Sequence, residues 1–151
     1  MKWFTLLILF FSFNSFSQNY DRETIRKEFV VSIEDEEIAE KWHTELKDKD
    51  LKNDPILEGY RACFYFLMSK HAVFYKKIGY FTDGKKLLEQ CINKSPNNVE
   101  LRFLRISTQK KVPKFLNYHK NIAEDTEFLK KNLNTVKEKP FKEAIKLIIE
   151  S

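Results

Sequence analysis

Apolar residues recur every three to four positions along almost the whole chain, and no other feature limits the fold as much. That spacing is the period of an α-helix with one buried face. Ile25, Phe29 and Ile33 share one face of a first short helix. Ser32, followed by Asp35 and Glu36, is expected to cap a second, with Ile38, Trp42 and Leu46 as its apolar stripe. Residues 47–54 form a polar linker, and Pro55 suits the first turn of a third helix, where its missing N–H costs nothing. That helix carries Ile56, Tyr60, Cys63, Phe64, Leu67 and Met68 and is expected to be the central buried element. A turn at 73–80 leads to a fourth helix over about 81–94, with Phe81, Gly84, Leu88, Cys91 and Ile92 inward. Asn98 can cap a fifth, which Pro113 stops. Ile122, Leu129, Leu133 and Val136 mark a sixth, and Pro140 opens a seventh with Phe141, Ala144, Ile145 and Ile148 inward. No stretch alternates like a strand. With three Gly and four Pro, the chain also lacks the turn signals that a β-sandwich needs. The expectation is an all-α, single compact domain of six to seven short helices in antiparallel hairpins.

The first residues read as an address. Lys2 is the only charge before Asp21, and residues 3–13 are almost wholly apolar. Ser15 and Ser17 then place small residues on either side of a larger one. A charged start, a short apolar run and a small pair define a secretory signal peptide, with cleavage expected after Ser17. The run is far shorter than the ~20 residues of a bilayer span, so no membrane span is expected once it is removed. The domain division is then a leader at 1–17 and a helical domain at 18–151. The small pair followed by Gln18 resembles exported proteins of bacteroidete-type Gram-negative bacteria, which implies a periplasmic or secreted location.

Charge is divided unevenly. The chain has 27 Lys+Arg against 22 Asp+Glu. Residues 18–54 hold 7 basic and 12 acidic residues, whereas 55–151 hold 19 and 10. The two parts either complement each other on packing or leave a basic face for an anionic partner. The export signal argues against nucleic acid, and no zinc-finger spacing, RNA-binding aromatic motif or basic-zipper heptad is present.

Residues 72–96 resemble a tetratricopeptide repeat. Ala72 and Tyr75 stand where the first helix of that motif carries a small residue and a Tyr. Gly84, Leu88 and Cys91 match its small-large-small second helix, and Pro96 its closing Pro. Met68 and His71 depart from the usual Trp and Leu, and a step of 34 residues either way finds no second copy. The resemblance implies a helical hairpin suited to docking a protein or peptide. Glu100 to Arg105, with Gln109, Pro113, Tyr118 and Asp125, also resembles small exported bacteroidete proteins of unknown function, which adds an expected fold and no mechanism.

Three groups of residues are candidates for function. Eight aromatics crowd 60–81. Tyr60, Tyr75 and Tyr80, with Lys76 and Lys77 beside them, read either as core or as a groove for a protein or peptide. Arg102, Arg105 and Gln109 share one helix stripe. They read either as an anion clamp or, through a pair such as Arg105 with Asp125, as a structural ion pair. Cys63 and Cys91 are equidistant from residue 77, inside the expected turn, so an antiparallel hairpin could bring them together as a disulfide; the alternative is two buried thiols. No metal or cofactor is expected: Glu36, Glu40 and His43 share a helix face that reads as solvated surface. With no G-x-S-x-G, P-loop or dinucleotide fingerprint, an enzyme is not expected. The sequence thus points to an exported interaction module that docks a protein or peptide in the cell envelope, or else to a binder of small anions.

Overall fold

Short polar side chains set where most of the helices begin. The computed structural model describes residues 20–151, so the expected leader and its cleavage point lie outside the described residues. Helix α1 (Arg22–Ser32) starts at Asp21, whose carboxylate accepts from the N–H groups of Glu23 and Thr24. Helix α2 (Glu36–Leu46) starts at Asp35, which accepts from the Ile38 N–H. Helix α3 (Pro55–His71) starts at Asp54, bonded to the Leu57 N–H, with Pro55 in its first turn. Helix α4 (Phe74–Lys94) is the longest and begins at Val73 with no side-chain cap. Helix α5 (Val99–Lys111) starts at Asn98, whose side chain accepts from the Leu101 N–H. Helices α6 (Ile122–Asn132) and α7 (Lys139–Glu150) also lack side-chain caps. Each bonded cap satisfies a donor that the first helical turn would otherwise leave unpaired.

The chain is all-α, and two boundaries differ from those expected. Ser32 does not cap α2. It closes α1, donating its hydroxyl to the Phe29 carbonyl at 2.7 Å. The turn between α3 and α4 is only Ala72 and Val73, so residues 74–80 are helical. They escaped the periodic pattern because the apolar side chains of this first part of α4 face outward.

Contacts between helices show a stack of three hairpins and a closing helix. In each hairpin the second helix runs back along the first, as the Ser69 hydroxyl bonded to the Lys77 carbonyl illustrates for α3 and α4. The first helices run side by side in one direction. Phe29 of α1 packs on Tyr60 and Phe64, and further along Lys70 reaches the Ile33 carbonyl. A Cβ on Gly59 would meet Leu101 and Leu104, while Cys63 lies beside Thr108, so α5 advances with α3. Phe103 meets Phe141, and Lys110 reaches the Ile148 carbonyl, so α7 advances with α5. Helices α2, α4 and α6 each also pack on the first helix of the following unit. The first helices begin at Arg22, Pro55, Val99 and Lys139, in steps of 33, 44 and 40 residues.

Close approach of α3 and α4 requires Gly84. A Cβ there would lie 2.9 Å from the Ala62 carbonyl oxygen and 3.1 Å from the Tyr65 Cβ, neither of which is a mobile side-chain tip. Around this seam lies the main core, in which Trp42, Phe64, Leu88, Leu101 and Leu104 are buried. A second cluster, centred on Ile106, Leu129 and Ile145, joins it through Phe103, which packs on both.

Candidate functional site

The face formed by the first helices is filled by the protein's own side chains. Tyr60, read from the sequence as a contact residue, is buried, and its hydroxyl donates to Glu100 at 2.8 Å. Burial first, and then the Glu100 carboxylate, push the Tyr60 phenol far above its ordinary range. Arg26 of α1 grips the same carboxylate with two N–H donors at 2.7 Å each. Its guanidinium lies 4.7 Å from the Phe141 ring centre and also pairs with Glu138, just before α7. The hydrogen bonds to Glu100 raise the Arg26 pKa further, against the opposing effect of burial. A polar knot therefore occupies the place where stacked hairpins would offer a groove, and Tyr60 is withdrawn as a contact residue.

The arginine stripe is likewise spent internally. Asp125 is fully buried and accepts from Arg105 Nε and Nη2, both at 2.7 Å, and from Arg102 Nη1 at 2.8 Å. Arg105 also reaches Glu89 at 3.0 Å, and Arg102 reaches Glu124 at 2.6 Å. Burial opposes the charge on Arg105, but Asp125 and then Glu89 outweigh it and raise its pKa. Arg102, with Asn121 after it, holds the Glu124 carboxyl below its usual range. Gln109 is buried next to Asn121, to which its amide donates at 3.3 Å. Both guanidiniums are neutralised by carboxylates within the fold, which would repel a free anion at this stripe.

Cys63 and Cys91 are free thiols, both buried. The disulfide expectation placed the turn at residue 77, whereas the true turn is four residues earlier. Level partners across α3 and α4 follow from Ser69 with Lys77 and Gly84 with Ala62. Cys91 is then about eight residues past the level of Cys63, roughly 12 Å along the axis at the helical rise. A disulfide needs Cα atoms within about 7 Å. Cys91 instead approaches Glu58 at 3.8 Å, and Cys63 approaches Thr108 at 3.9 Å. Burial pushes both thiols up to about 12. Thiol counting under denaturing, non-reducing conditions should give two per chain, and the native protein should react slowly at neutral pH. A count of zero would refute the unpaired state.

His43 is a second departure from the surface reading. It is buried, with its ring edge-on to Tyr65 at 4.6 Å and to Tyr80 at 5.5 Å, while Glu36 and Glu40 stay exposed. Burial, with Lys47 adding to it, lowers the His43 pKa. Tyr80 is therefore half-buried packing rather than open surface. The Lys77 ammonium turns back to the Lys70 carbonyl at 2.7 Å.

Among the candidate contact residues this leaves Tyr75 and Lys76, and they belong to a larger feature. Eight large apolar side chains are exposed among the described residues. Val30 and Val31 are in the last turn of α1. Val73, Phe74, Tyr75 and Ile78 form the turn after α3 and the start of α4. Phe115 follows the end of α5, and Leu147 is near the end of α7. Because α1, α3, α5 and α7 run in one direction, all eight lie toward the end of the stack where those helices finish, with Val73, Phe74 and Tyr75 at the tip of the α3–α4 hairpin and Val30, Val31 and Leu147 set back on the shorter outer helices. The opposite end carries none of them; it holds the bonded caps Asp21, Asp54 and Asn98. Phe74 is 89% exposed and Phe115 82%. Scattered apolar residues on a surface need no explanation, but confinement to one end does.

Residue spacing missed this surface because it searches for inward faces. A usable signal was nonetheless present: no Asp or Glu occurs from 59 to 82 or from 101 to 123, the two intervals that hold Val73, Phe74, Tyr75, Ile78 and Phe115. No family model, curated protein or solved structure matches the chain. No described helix is long and apolar enough to cross a membrane.

Proposed function

We propose that this protein is a non-enzymatic docking module of the cell envelope, exported by its leader, and that its contact surface is the apolar end of the stack. The observation that carries this reading is the gathering of the exposed large apolar side chains among the described residues toward one end, with Val73, Phe74, Tyr75 and Ile78 at the α3–α4 tip. Exposure of that size is unfavourable in water at roughly 25 cal/mol per Å² of apolar surface, so a fold that keeps it in one place gains from a partner that covers it. The groove-bound peptide suggested by the repeat resemblance has no room, since Arg26, Tyr60 and Glu100 fill that face. Anion binding by Arg102, Arg105 and Gln109 would have to compete with the carboxylates that already hold both guanidiniums.

Cell fractionation tests the proposal. The full chain, expressed with its leader, should be recovered with the envelope. A variant with Phe74→Ser, Ile78→Ser and Phe115→Ser should shift to the soluble fraction while keeping its helical content, because these side chains are exposed. Equal retention of variant and parent would remove the apolar end as the docking surface.

A further inference from the structure

We propose, resting on the docking reading above, that the apolar end is built to settle on an anionic lipid surface, with Phe74, Ile78 and Phe115 entering the acyl boundary and lysines meeting the headgroup phosphates.

Shape favours a bilayer over a protein partner. Phe74 and Phe115 project from the end with most of their surface free, instead of lining a concavity. A protein partner must supply a fitted pocket for each such ring, whereas a bilayer yields to any projecting apolar group. Tyr75 follows Phe74 and is 78% exposed, and an amphipathic ring of this kind suits the headgroup level.

Charge points to the same occupant. Lys76 lies 6.0 Å from the Tyr75 ring centre and has no carboxylate partner among the described residues. Lys111, Lys114 and Lys120, around Phe115, likewise pair with no Asp or Glu among the described residues. The intervals 59–82 and 101–123 contain no acid that could repel a phosphate. Helix α4 begins here without a side-chain cap, and its positive pole adds to the same field. Carboxylates at this end lie at the two edges of the stack: Glu150 closes α7, and the others, with Glu37 exposed among them, belong to the first hairpin. Glu34 there is bonded to Lys70, Asp35 caps α2, and Glu36 lies 3.9 Å from His71. Long lysine stems can lie along the apolar residues while their ammonium groups reach the phosphates.

Vesicle co-sedimentation of protein purified after expression of the full chain tests the assignment. Binding to vesicles of equal parts phosphatidylglycerol and phosphatidylcholine should be at least tenfold tighter than to phosphatidylcholine alone, and should weaken as salt is raised. Phe74→Ser with Phe115→Ser should lower it about tenfold or more. Lys76→Gln with Lys114→Gln and Lys120→Gln should lower binding to the anionic vesicles alone. Equal binding to both vesicle types overturns the charge-selective assignment. No binding to either, while the Ser variant is still lost from the envelope fraction, overturns the lipid partner and leaves docking by this end to a protein. No binding to either and unchanged fractionation overturn both readings.

Discussion

Asp125→Ala is expected to lower the unfolding free energy by about 3–5 kcal/mol, the range for removing one partner of a buried ion pair. The carboxylate has no exposed surface and accepts three N–H bonds from two arginines. Its removal leaves Arg105, which is almost wholly buried, with Glu89 at 3.0 Å and the more distant Glu124 at 3.9 Å to answer it. The loss would also weaken the hold of α5 on α6, leaving Glu124 as the α6 carboxylate within reach of both arginines. Asp125→Asn should cost less, because an amide oxygen still accepts while its charge is gone. Urea unfolding followed by helical circular dichroism measures both variants. A loss below about 1 kcal/mol for the alanine would mean that water replaces the carboxylate and that the site is not sealed.

Phe64→Ala should have an effect of similar size, about 3–5 kcal/mol, through a different term: apolar transfer plus the cavity left behind. Phe64 is fully buried on α3 and touches rings from two other helices. It stacks on Trp42 of α2, 5.9 Å between centres and 11° between planes, and meets Phe29 of α1 edge-on at 5.8 Å. Removing it would empty the point where the first hairpin seats on the second. Tyr75→Ala serves as the control: it deletes a ring of comparable size from an exposed position and should change stability by no more than about 0.5 kcal/mol. The same urea titration compares them. Equal costs for the two would contradict the division between core and contact surface.

Much of the architecture was readable from local chemistry. Pro55 and Asn98 mark helix starts because their effects act within one turn. The inward stripe of α4 from Phe81 to Ile92 was readable because it faces the core. What depends on a long-range sum was not. A four-residue error in the α3–α4 turn, caused by the outward side chains of 74–80, was enough to bring Cys63 and Cys91 together on paper. The search at 34 residues found no second copy because the hairpins recur in unequal steps of 33, 44 and 40. Among the candidate residues, Tyr60 and Tyr75 look alike in sequence. Only the position of Glu100, forty residues on, separates a sealed phenol from an open one. The arginine stripe was legible as a polar seam, and Asp125 as one possible answer to it. That Asp125 serves both arginines at once depends on α6 crossing α5 at that point.

The Arg26 knot bears on how the molecule comes apart. A stack in which each hairpin touches only its neighbours can fray from either end, since its units melt nearly independently. Here a guanidinium on the first helix is bonded to the fifth and to the residue that introduces the seventh. The first and last units are thereby joined across the middle of the array. Neither end can loosen without breaking bonds held by the other, so the linear stack should unfold as a single cooperative unit.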